Sequence, residues 1–226
     1  MTGPVGSGKS ALARVLLGIY PLESGEVRFC SADGTRVDRP AGWLGYLPQD
    51  AYLFSGSVME NVLMRGTGDA PALAAQALRL AALEADVAGF AQGMHTPVGE
   101  LGVRISGGQR QRLGLARAIS ACAPNYPGLL VLDDPFSAVD VDTEARIIAA
   151  LREAFGAHRP AEERVTIVLC SQRLAAFPQA DRVVVLEHGR IEEQGSHAEL
   201  LARDALYARI YQAQARSEPR VAGGAP

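Results

Sequence analysis

The sequence lacks the features that mark secreted, membrane-spanning and nucleic-acid-binding chains. No apolar run approaches the ~20 residues needed to span a bilayer, and no signal-peptide pattern opens the chain. The three cysteines form no CxxC pair, which excludes a disulfide framework or a zinc knuckle and predicts small buried residues at Cys30, Cys122 and Cys170. Clustered Lys and Arg are also missing, and a net charge of -3 excludes a broad nucleic-acid-binding face. We therefore expect a soluble, cytosolic chain without a nucleic-acid partner.

Short runs of Val, Ile and Leu alternate along the chain with longer segments rich in Ala, Leu and Arg. This alternation predicts an α/β fold in which helices cover both faces of a mostly parallel sheet. The clearest buried strands are predicted at Leu129–Leu132, Val165–Cys170 and Arg182–Leu186.

The first half of the chain also carries weaker patterns. A helix is predicted from Lys9 to about Leu17, and Gly, Asp and Pro interrupt an antiparallel β-rich piece over Gly25–Phe29 and Gly42–Leu47. Residues 58–93 are rich in Ala and Leu at helical spacing, which predicts a helical lobe.

The C-terminal part is predicted to end in one long helix. Ser196 and Glu199 have the spacing of a capping box, so the helix is expected from Ala198 to about Ala215. Residues 216–226 are polar and rich in Gly and Pro, which predicts a disordered tail.

A glycine-rich loop, GPVGSGKS, lies at the start of the sequence. It fits the phosphate-binding P-loop pattern of Gly, four residues, then Gly-Lys-Ser. Glycines let backbone N–H groups surround phosphate oxygens, the lysine supplies a positive charge, and the serine hydroxyl can ligate Mg²⁺. The pattern predicts a P-loop NTPase fold with nucleotide bound by Gly3, Gly6, Ser7, Gly8, Lys9 and Ser10.

An apolar run ends in two adjacent aspartates within LLVLDDPFSAVD, Leu129–Asp140. In P-loop proteins a buried strand of this kind aims its first carboxylate, here Asp133, toward the metal. Taken alone, the run fits an ordinary buried strand equally well, and the P-loop favours the metal site.

The segment RISGGQRQRLGLARAI, Arg104–Ile119, begins with a helix cap. Ser106 and Gln109 have the spacing of a capping box. Gly107 and Gly108 in the first helical turn cost about 1 kcal/mol each relative to Ala, and a cap does not require them. A backbone that approaches a phosphate does require them, so the segment predicts a second element that contacts phosphate.

Together these motifs resemble the ATP-binding cassette family, whose signature is nearly identical to ISGGQ. The order of motifs also agrees: P-loop, a Q-loop in LPQDAYLF with Gln49, the signature at Ser106–Gln109, the strand ending at Asp133, and the D-loop SAVD ending at Asp140. The resemblance implies one ATP-binding domain over residues 1–215, with a signature-bearing helical lobe at about 58–118.

The family resemblance also implies an ATPase made by two cassettes that face head to tail, with ATP and Mg²⁺ as cofactors. Each ATP lies between the P-loop of one cassette and the signature of the other. Four signature residues would therefore serve the partner's ATP: Ser106, Gly107, Gly108 and Gln109. Within the chain's own site, the implied metal-side residues are Ser10, Gln49 and Asp133, and the implied catalytic residues are Asp134, Gln172 and Gln49.

Three further segments resemble the exporters of this family, in which the cassette follows a membrane domain in the same chain. They are SGSVMENVL after the Q-loop, VGELG before the signature, and the C-terminal DRVVVLEHGRIEEQGSHAELL. The resemblance implies a domain at the cytoplasmic face of the plasma membrane, with a second cassette and a transporter membrane domain as partners. The acidic pI of about 5.8 disfavours a soluble cassette ATPase acting on nucleic acid or ribosomes.

Two departures from the family pattern concern catalysis. Asp134 stands where active members have glutamate, and its carboxylate is withdrawn by about an ångström, a displacement that can cost on the order of 10²-fold in rate. Gln172, in CSQRL, stands where the switch histidine is expected, and it can donate a hydrogen bond but carries no positive charge.

Both departures together resemble the degenerate-site subunit of heterodimeric exporters. One site of such a pair hydrolyses ATP and the other mostly holds it, so this chain would supply the slow site and give its signature to the partner's competent site. A slow but self-sufficient homodimer remains an alternative, as does a non-catalytic regulatory module.

Only Met1 and Thr2 precede the P-loop, although a P-loop normally leaves a central strand. From this we expect the first core strand to be missing, as in a fragment or a chain with a misplaced start.

Overall fold

The computed structural model describes residues 1–30, 34–37, 44–64, 70–99, 102–122, 128–160 and 164–217. The chain divides into two compact units, Met1–Lys9 with Ser171–Pro226, and Ser10–Cys170. Across the described ranges, no helix combines the length and apolar character that a bilayer crossing needs.

A three-stranded parallel sheet forms the centre of the larger unit. Its strand order is β3 (Leu44–Leu47), β6 (Gly128–Asp133), β7 (Val165–Cys170). Every residue of β6 is buried, as its apolar run predicts. The register pairs Asp133 with Cys170, which places the two aspartates of the motif at the carboxyl end of the central strand.

Helices and two short antiparallel strand pairs complete the larger unit. The strand pairs are β1 (Phe29–Cys30) with β2 (Arg36–Val37), and β4 (Gly56–Ser57) with β5 (Pro97–Val98). The helices are α1 (Lys9–Leu16), α2 (Val58–Leu63), α3 (Ala70–Leu80), α4 (Glu84–Ala88), α5 (Gly107–Ala121) and α6 (Val141–Phe155). Three of them, α2, α3 and α4, fall within the helical lobe predicted over residues 58–93.

The predicted β-rich piece is only partly correct. Its first half is reduced to the two-residue β1, and residues 42 and 43 lie outside the described residues. The second half, β3, joins the parallel sheet beside β6, whereas β1 pairs antiparallel with β2. A Cβ at Gly45 would lie 2.0 Å from the carbonyl oxygen of Ala118, so glycine at this position lets β3 lie against α5. The local sequence around Gly45 does not predict this contact.

The smaller unit contains an antiparallel pair, β8 (Val183–Glu187) with β9 (Arg190–Gly195), and two helices, α7 (His197–Ala202) and α8 (Leu206–Ser217). The Ser196–Glu199 capping box opens α7 as predicted. The single long helix is wrong, because Asp204 adopts a left-handed φ of 50° between α7 and α8. The buried carboxylate of Glu193 then accepts the backbone N–H of Tyr207 at 2.9 Å, within the first turn of α8.

The first two residues of the chain form strand-type hydrogen bonds. Thr2 donates its N–H to the carbonyl of Val184 at 2.9 Å and accepts the N–H of Leu186 at 2.8 Å. Met1 accepts the N–H of Ser171 at 3.1 Å. Thr2 thus pairs with β8 in parallel, and Met1 is bonded to the backbone at Ser171.

The cysteine prediction holds at two of the three positions. Cys122 and Cys170 are buried, and burial raises the pKa of the Cys122 thiol to about 11. The prediction is wrong for Cys30, which is exposed in the two-residue strand β1.

The predicted tail begins too early. Helix α8 continues to Ser217, and residues 218–226 lie outside the described residues.

Candidate functional site

Glycine shapes the loop between Thr2 and Lys9. Gly3, Gly6 and Gly8 have φ values of 142°, 79° and 101°, in the region that side chains rarely adopt. At Gly3 a Cβ would lie 2.0 Å from the carbonyl oxygen of Leu186, so only glycine lets the start of the loop pack this closely against β8. The backbone N–H of Ser7 closes a turn on the carbonyl of Pro4 at 3.2 Å.

Lys9 folds its ammonium group over this same loop. Its Nζ donates to the carbonyl oxygens of Gly3 at 2.8 Å and Pro4 at 2.9 Å, and to Ser7 Oγ at 3.4 Å. The loop's own carbonyls thus hold the positive charge against the glycine-rich loop. This arrangement suits an anion such as a nucleotide phosphate.

In the larger unit, the side chains of Ser10 and Asp133 are hydrogen-bonded to each other. The Ser10 hydroxyl donates to Asp133 Oδ1 at 2.9 Å. Asp133 is only 3% exposed, and its Oδ2 is buried without a hydrogen-bond partner. An unpartnered buried carboxylate oxygen is costly, and a hard divalent cation that binds oxygen ligands would satisfy it. The donor set fits Mg²⁺.

Asp134 is held in an unusual backbone conformation next to this pair. Its φ is 53°, in the left-handed region, where Asp is among the residues best tolerated. Its N–H donates to the carbonyl of Cys170 at 2.8 Å, and its carbonyl accepts Gln111 Nε2 at 3.2 Å. The residue is half-buried.

Two predicted site glutamines lie on exposed segments after strands. Gln49 follows β3, whose Leu47 pairs with Leu132 of β6, so it lies beyond the same carboxyl edge as Asp133. Gln172, in the smaller unit, is exposed, and its carbonyl accepts Gln214 Nε2 at 2.6 Å.

The signature forms the start of α5. Ser106 Oγ accepts the N–H of Gln109 at 3.1 Å, and the N–H of Ser106 donates to Gln109 Oε1 at 2.8 Å, so the predicted capping box is confirmed. Gly107 is exposed, and a Cβ there would meet only Ala138 Cβ at 3.9 Å. At Gly108 a Cβ would lie 2.7 Å from the carbonyl oxygen of Ala138. Gly107 therefore presents backbone to solvent, whereas Gly108 permits close approach to the D-loop.

The signature glutamine is anchored by Asp86 of α4. Gln109 Nε2 donates to Asp86 Oδ1 at 2.9 Å, and Arg112 pairs with Oδ2 at 2.7 Å. Burial raises the pKa of Asp86, but the bonds from Gln109 and Arg112 outweigh it and hold that pKa below its ordinary value. The Gln109 side-chain amide thus makes its hydrogen bonds within this chain.

Asp140, the last D-loop residue, caps α6. Its carboxylate accepts the N–H of Thr143 at 2.8 Å. Hydrogen bonding to Thr143 lowers the pKa of Asp140, which keeps the cap charged at neutral pH.

Sequence reasoning gave no role to Asp86 or Gln111. A signal existed for Gln111, because it shares a helical stripe with Leu115 and Ala118, and a polar side chain at an apolar position requires a buried partner. Nothing local in the sequence marks Asp86, whose partner Gln109 is 23 positions away.

The fold and the loop define a P-loop NTPase with a parallel sheet and antiparallel strands. The family model described as ABC transporter matches residues 1–137. The chain belongs to the ABC transporter family, and its relatives are exporters with a fused ATP-binding and membrane part.

Several curated relatives and a solved structure are similar over nearly the whole chain. A probable multidrug resistance ABC transporter ATP-binding/permease protein of Bacillus subtilis is 39% identical over 95% of this chain and 35% of its own length. An ATP-dependent lipid A-core flippase of Dechloromonas aromatica is 39% identical over 98% of this chain and 36% of its own. The structure of a bacterial Atm1-family ABC exporter with ATP bound matches with a TM-score of 0.79 at 35% identity, over 95% of this chain and 36% of that one. The chain thus spans about a third of the length of these relatives.

Proposed function

We propose that this chain binds Mg·ATP and acts as the ATP-hydrolysing domain of an exporter, in a pair with a second cassette, at the cytoplasmic face of the membrane. The observation that carries this proposal is the Ser10–Asp133 pair, in which one carboxylate oxygen is buried and unpartnered. Family membership and the exporter-like relatives support it.

Each motif has a proposed role in that activity. The glycine-rich loop and Lys9 bind the phosphates, and Ser10, Asp133 and Gln49 lie on the side of the Mg²⁺. When bound, Mg²⁺ would neutralise charge on the β and γ phosphates. Ser106, Gly107 and Gly108 contact the ATP held by the partner, and Gln109 holds the cap that presents them. We assign one ATP-binding domain to residues 1–215.

The chain's own site is proposed to be the slow one of the pair. Asp134 stands in for the residue that orients the attacking water, and Gln172 stands near the γ-phosphate without a positive charge. The left-handed backbone of Asp134 supports this assignment, because aspartate tolerates that conformation better than glutamate does. The same two residues favour a second candidate function, a regulatory module that holds ATP without cleaving it.

Photo-crosslinking of an ATP analogue separates these functions. The chain is incubated with and without a candidate partner cassette, and the nucleotide attached to each protein is identified after one turnover. We expect mostly ATP on this chain and ADP on the partner, with phosphate release only in the mixture. Equal amounts of ADP on both would contradict the slow site, and no phosphate release by any mixture would favour the regulatory module.

A further inference from the structure

Gln111 links the signature helix to Asp134. It lies on α5 two residues after the signature glutamine and is 6% exposed. Its Nε2 donates to the Asp134 carbonyl at 3.2 Å, across 23 positions of the sequence. A buried amide that reaches another element's backbone carbonyl ties the two elements together.

The carbonyl it binds belongs to a residue whose conformation needs support. A left-handed φ is unfavourable for a non-glycine residue and persists only where its surroundings fix it. Asp134 is held at its N–H by the carbonyl of Cys170, at 2.8 Å. On the Asp134 carbonyl, the bond from Gln111 at 3.2 Å is shorter than those from Ser137, which donates from its N–H at 3.4 Å and from its Oγ at 3.3 Å.

The helix that carries Gln111 also carries the signature at its first turn. An α-helix has about 3.6 residues per turn, so Gln111 lies about one and a half turns from Ser106 and should move with it as part of one helix. The helix contacts the segment after Asp134 at a second point, where Gly108 allows close approach to the Ala138 carbonyl. A displacement of the signature turn therefore reaches the backbone of Asp134 directly.

We propose that Gln111 is a positioning residue that couples the signature turn of α5 to Asp134. Through Gln111, a change in the signature turn that faces the partner's ATP alters the conformation of Asp134 in this chain's own site, and a change at Asp134 alters the signature turn. The inference rests on the proposed function, because it assumes that Mg·ATP binds beside Asp133.

Hydrogen exchange of single amides, with and without Mg·ATP, tests the coupling. In the wild-type chain we expect Mg·ATP to slow exchange at Arg110 and Gln111 by about fivefold, the factor that corresponds to a net hydrogen-bond contribution of about 1 kcal/mol. In Gln111→Leu we expect the dissociation constant of Mg·ATP to stay within about twofold, while the response of the α5 amides is lost. The coupling constant between the N–H and Hα of Asp134 reports its φ, and we expect it to change in this variant.

Two further variants separate coupling from stability. Gln111→Asn keeps the amide but shortens it, so it should fold and still lose the response, which covers a failure of Gln111→Leu to fold. Ser120→Ala removes a hydrogen bond from α5 to the carbonyl of Val62, away from Asp134, and should lower stability while keeping the response.

An undiminished response in both Gln111 variants, or no response in a wild-type chain that binds Mg·ATP, overturns the coupling alone. Failure of the wild-type chain to bind Mg·ATP overturns the proposed function as well.

Discussion

Ser10 and Asp133 share a hydrogen bond of 2.9 Å across 123 positions of sequence, and the second carboxylate oxygen of Asp133 is buried without a partner. The bond positions one oxygen and leaves the other for a cation. Without a cation, the lone oxygen costs the fold free energy. The buried carboxylate of Asp133 therefore lowers stability while it favours Mg²⁺ binding, and the hydrogen bond from Ser10 stabilises one of its oxygens.

Substitutions at the pair are predicted to separate these effects. Asp133→Asn removes the buried charge, so in EDTA we expect its urea midpoint to equal or exceed the wild-type value. Its affinity for Mg·ATP should fall by about tenfold or more. Ser10→Ala leaves Oδ1 without a donor, so it should lower the free energy of unfolding by about 1–3 kcal/mol. A lower midpoint for Asp133→Asn would argue against an unsatisfied carboxylate.

Gly107 is predicted to separate anion contact from helix stability. Aspartate at the first position of α5 suits the helix dipole, and the open space there admits a side chain, so Gly107→Asp should fold at least as stably as the wild type. Its negative charge would repel the partner's nucleotide, and we expect phosphate release of the mixed pair to fall by about tenfold or more. Gly107→Ala is the control and should reduce release by less than about threefold. A fully active Gly107→Asp pair would refute the role of the signature.

Local patterns were enough to predict the central strand and the helix caps. The apolar run of β6 predicts a buried strand because its side chains must leave water. The caps at Ser106 and Ser196 depend only on residues three positions apart. The conformation of the glycine-rich loop at Gly3 and Gly6 could also be predicted locally, because only glycine adopts those φ values at low cost.

Features set by distant residues could not be read from local pattern. The break between α7 and α8 coincides with a contact from Glu193, in another element, to the N–H of Tyr207. The place of β3 beside β6 depends on Gly45 meeting Ala118, 73 positions later. The anchoring of Gln109 by Asp86 likewise requires α4 and α5 to be adjacent. Each is a tertiary contact that overrides or supplements local propensity.

Asp86 predicts a pH dependence of stability. Its folded-state pKa is lowered, so its contribution is fully present above the unfolded value of about 3.9 and is lost as the pH falls through the folded value below that. From pH 7 to pH 5 we expect the free energy of unfolding of the wild type to exceed that of Asp86→Asn by about 1 kcal/mol, a value already reduced for the partial exposure of Asp86. This difference, the gap, should close below about pH 4. Urea unfolding at each pH measures this gap. Glu84→Gln, on the exposed side of α4, should show no such closing.

Arg117 is predicted to hold the segment that follows Gln49. Its guanidinium donates to the carbonyls of Asn61 and Tyr52 at 2.8 and 2.7 Å and lies over the Phe54 ring, at 4.8 Å from the centroid. Burial lowers the pKa of Arg117. Its contacts require a planar group with several N–H donors, which lysine does not have. Arg117→Lys should therefore cost about 2 kcal/mol of stability.

Limited chymotrypsin digestion gives a second measurement of the same effect. Tyr52 is 75% exposed, and cleavage after it should become faster once Arg117 no longer holds its carbonyl. Arg79→Lys is the matched control at an exposed arginine and should change neither stability nor cleavage. Equal digestion of Arg117→Lys and the wild type would show that other contacts hold the loop.

Asp134 and Gln172 are predicted to limit turnover jointly at the chain's own site. Asp134→Glu returns the missing reach of about an ångström, which is worth on the order of 10- to 100-fold if the carboxylate orients water. Part of that gain is lost, because glutamate tolerates a φ of 53° less well than aspartate. Gln172→His supplies a group that can carry charge near the γ-phosphate, and its benefit should fade as the pH rises above about 6.5.

The double variant tests whether the two positions act as a unit. Residues that act on one transition state give non-additive effects, so the gain of Asp134→Glu with Gln172→His should exceed the product of the single gains. Single-turnover hydrolysis of ATP crosslinked to this chain measures the gain at its own site, apart from the partner's. Asp134→Asn, which keeps the length but removes the charge, is the control and should show no gain. Multiplicative gains would indicate two independent defects, and no gain in the double variant would favour a site that only holds ATP.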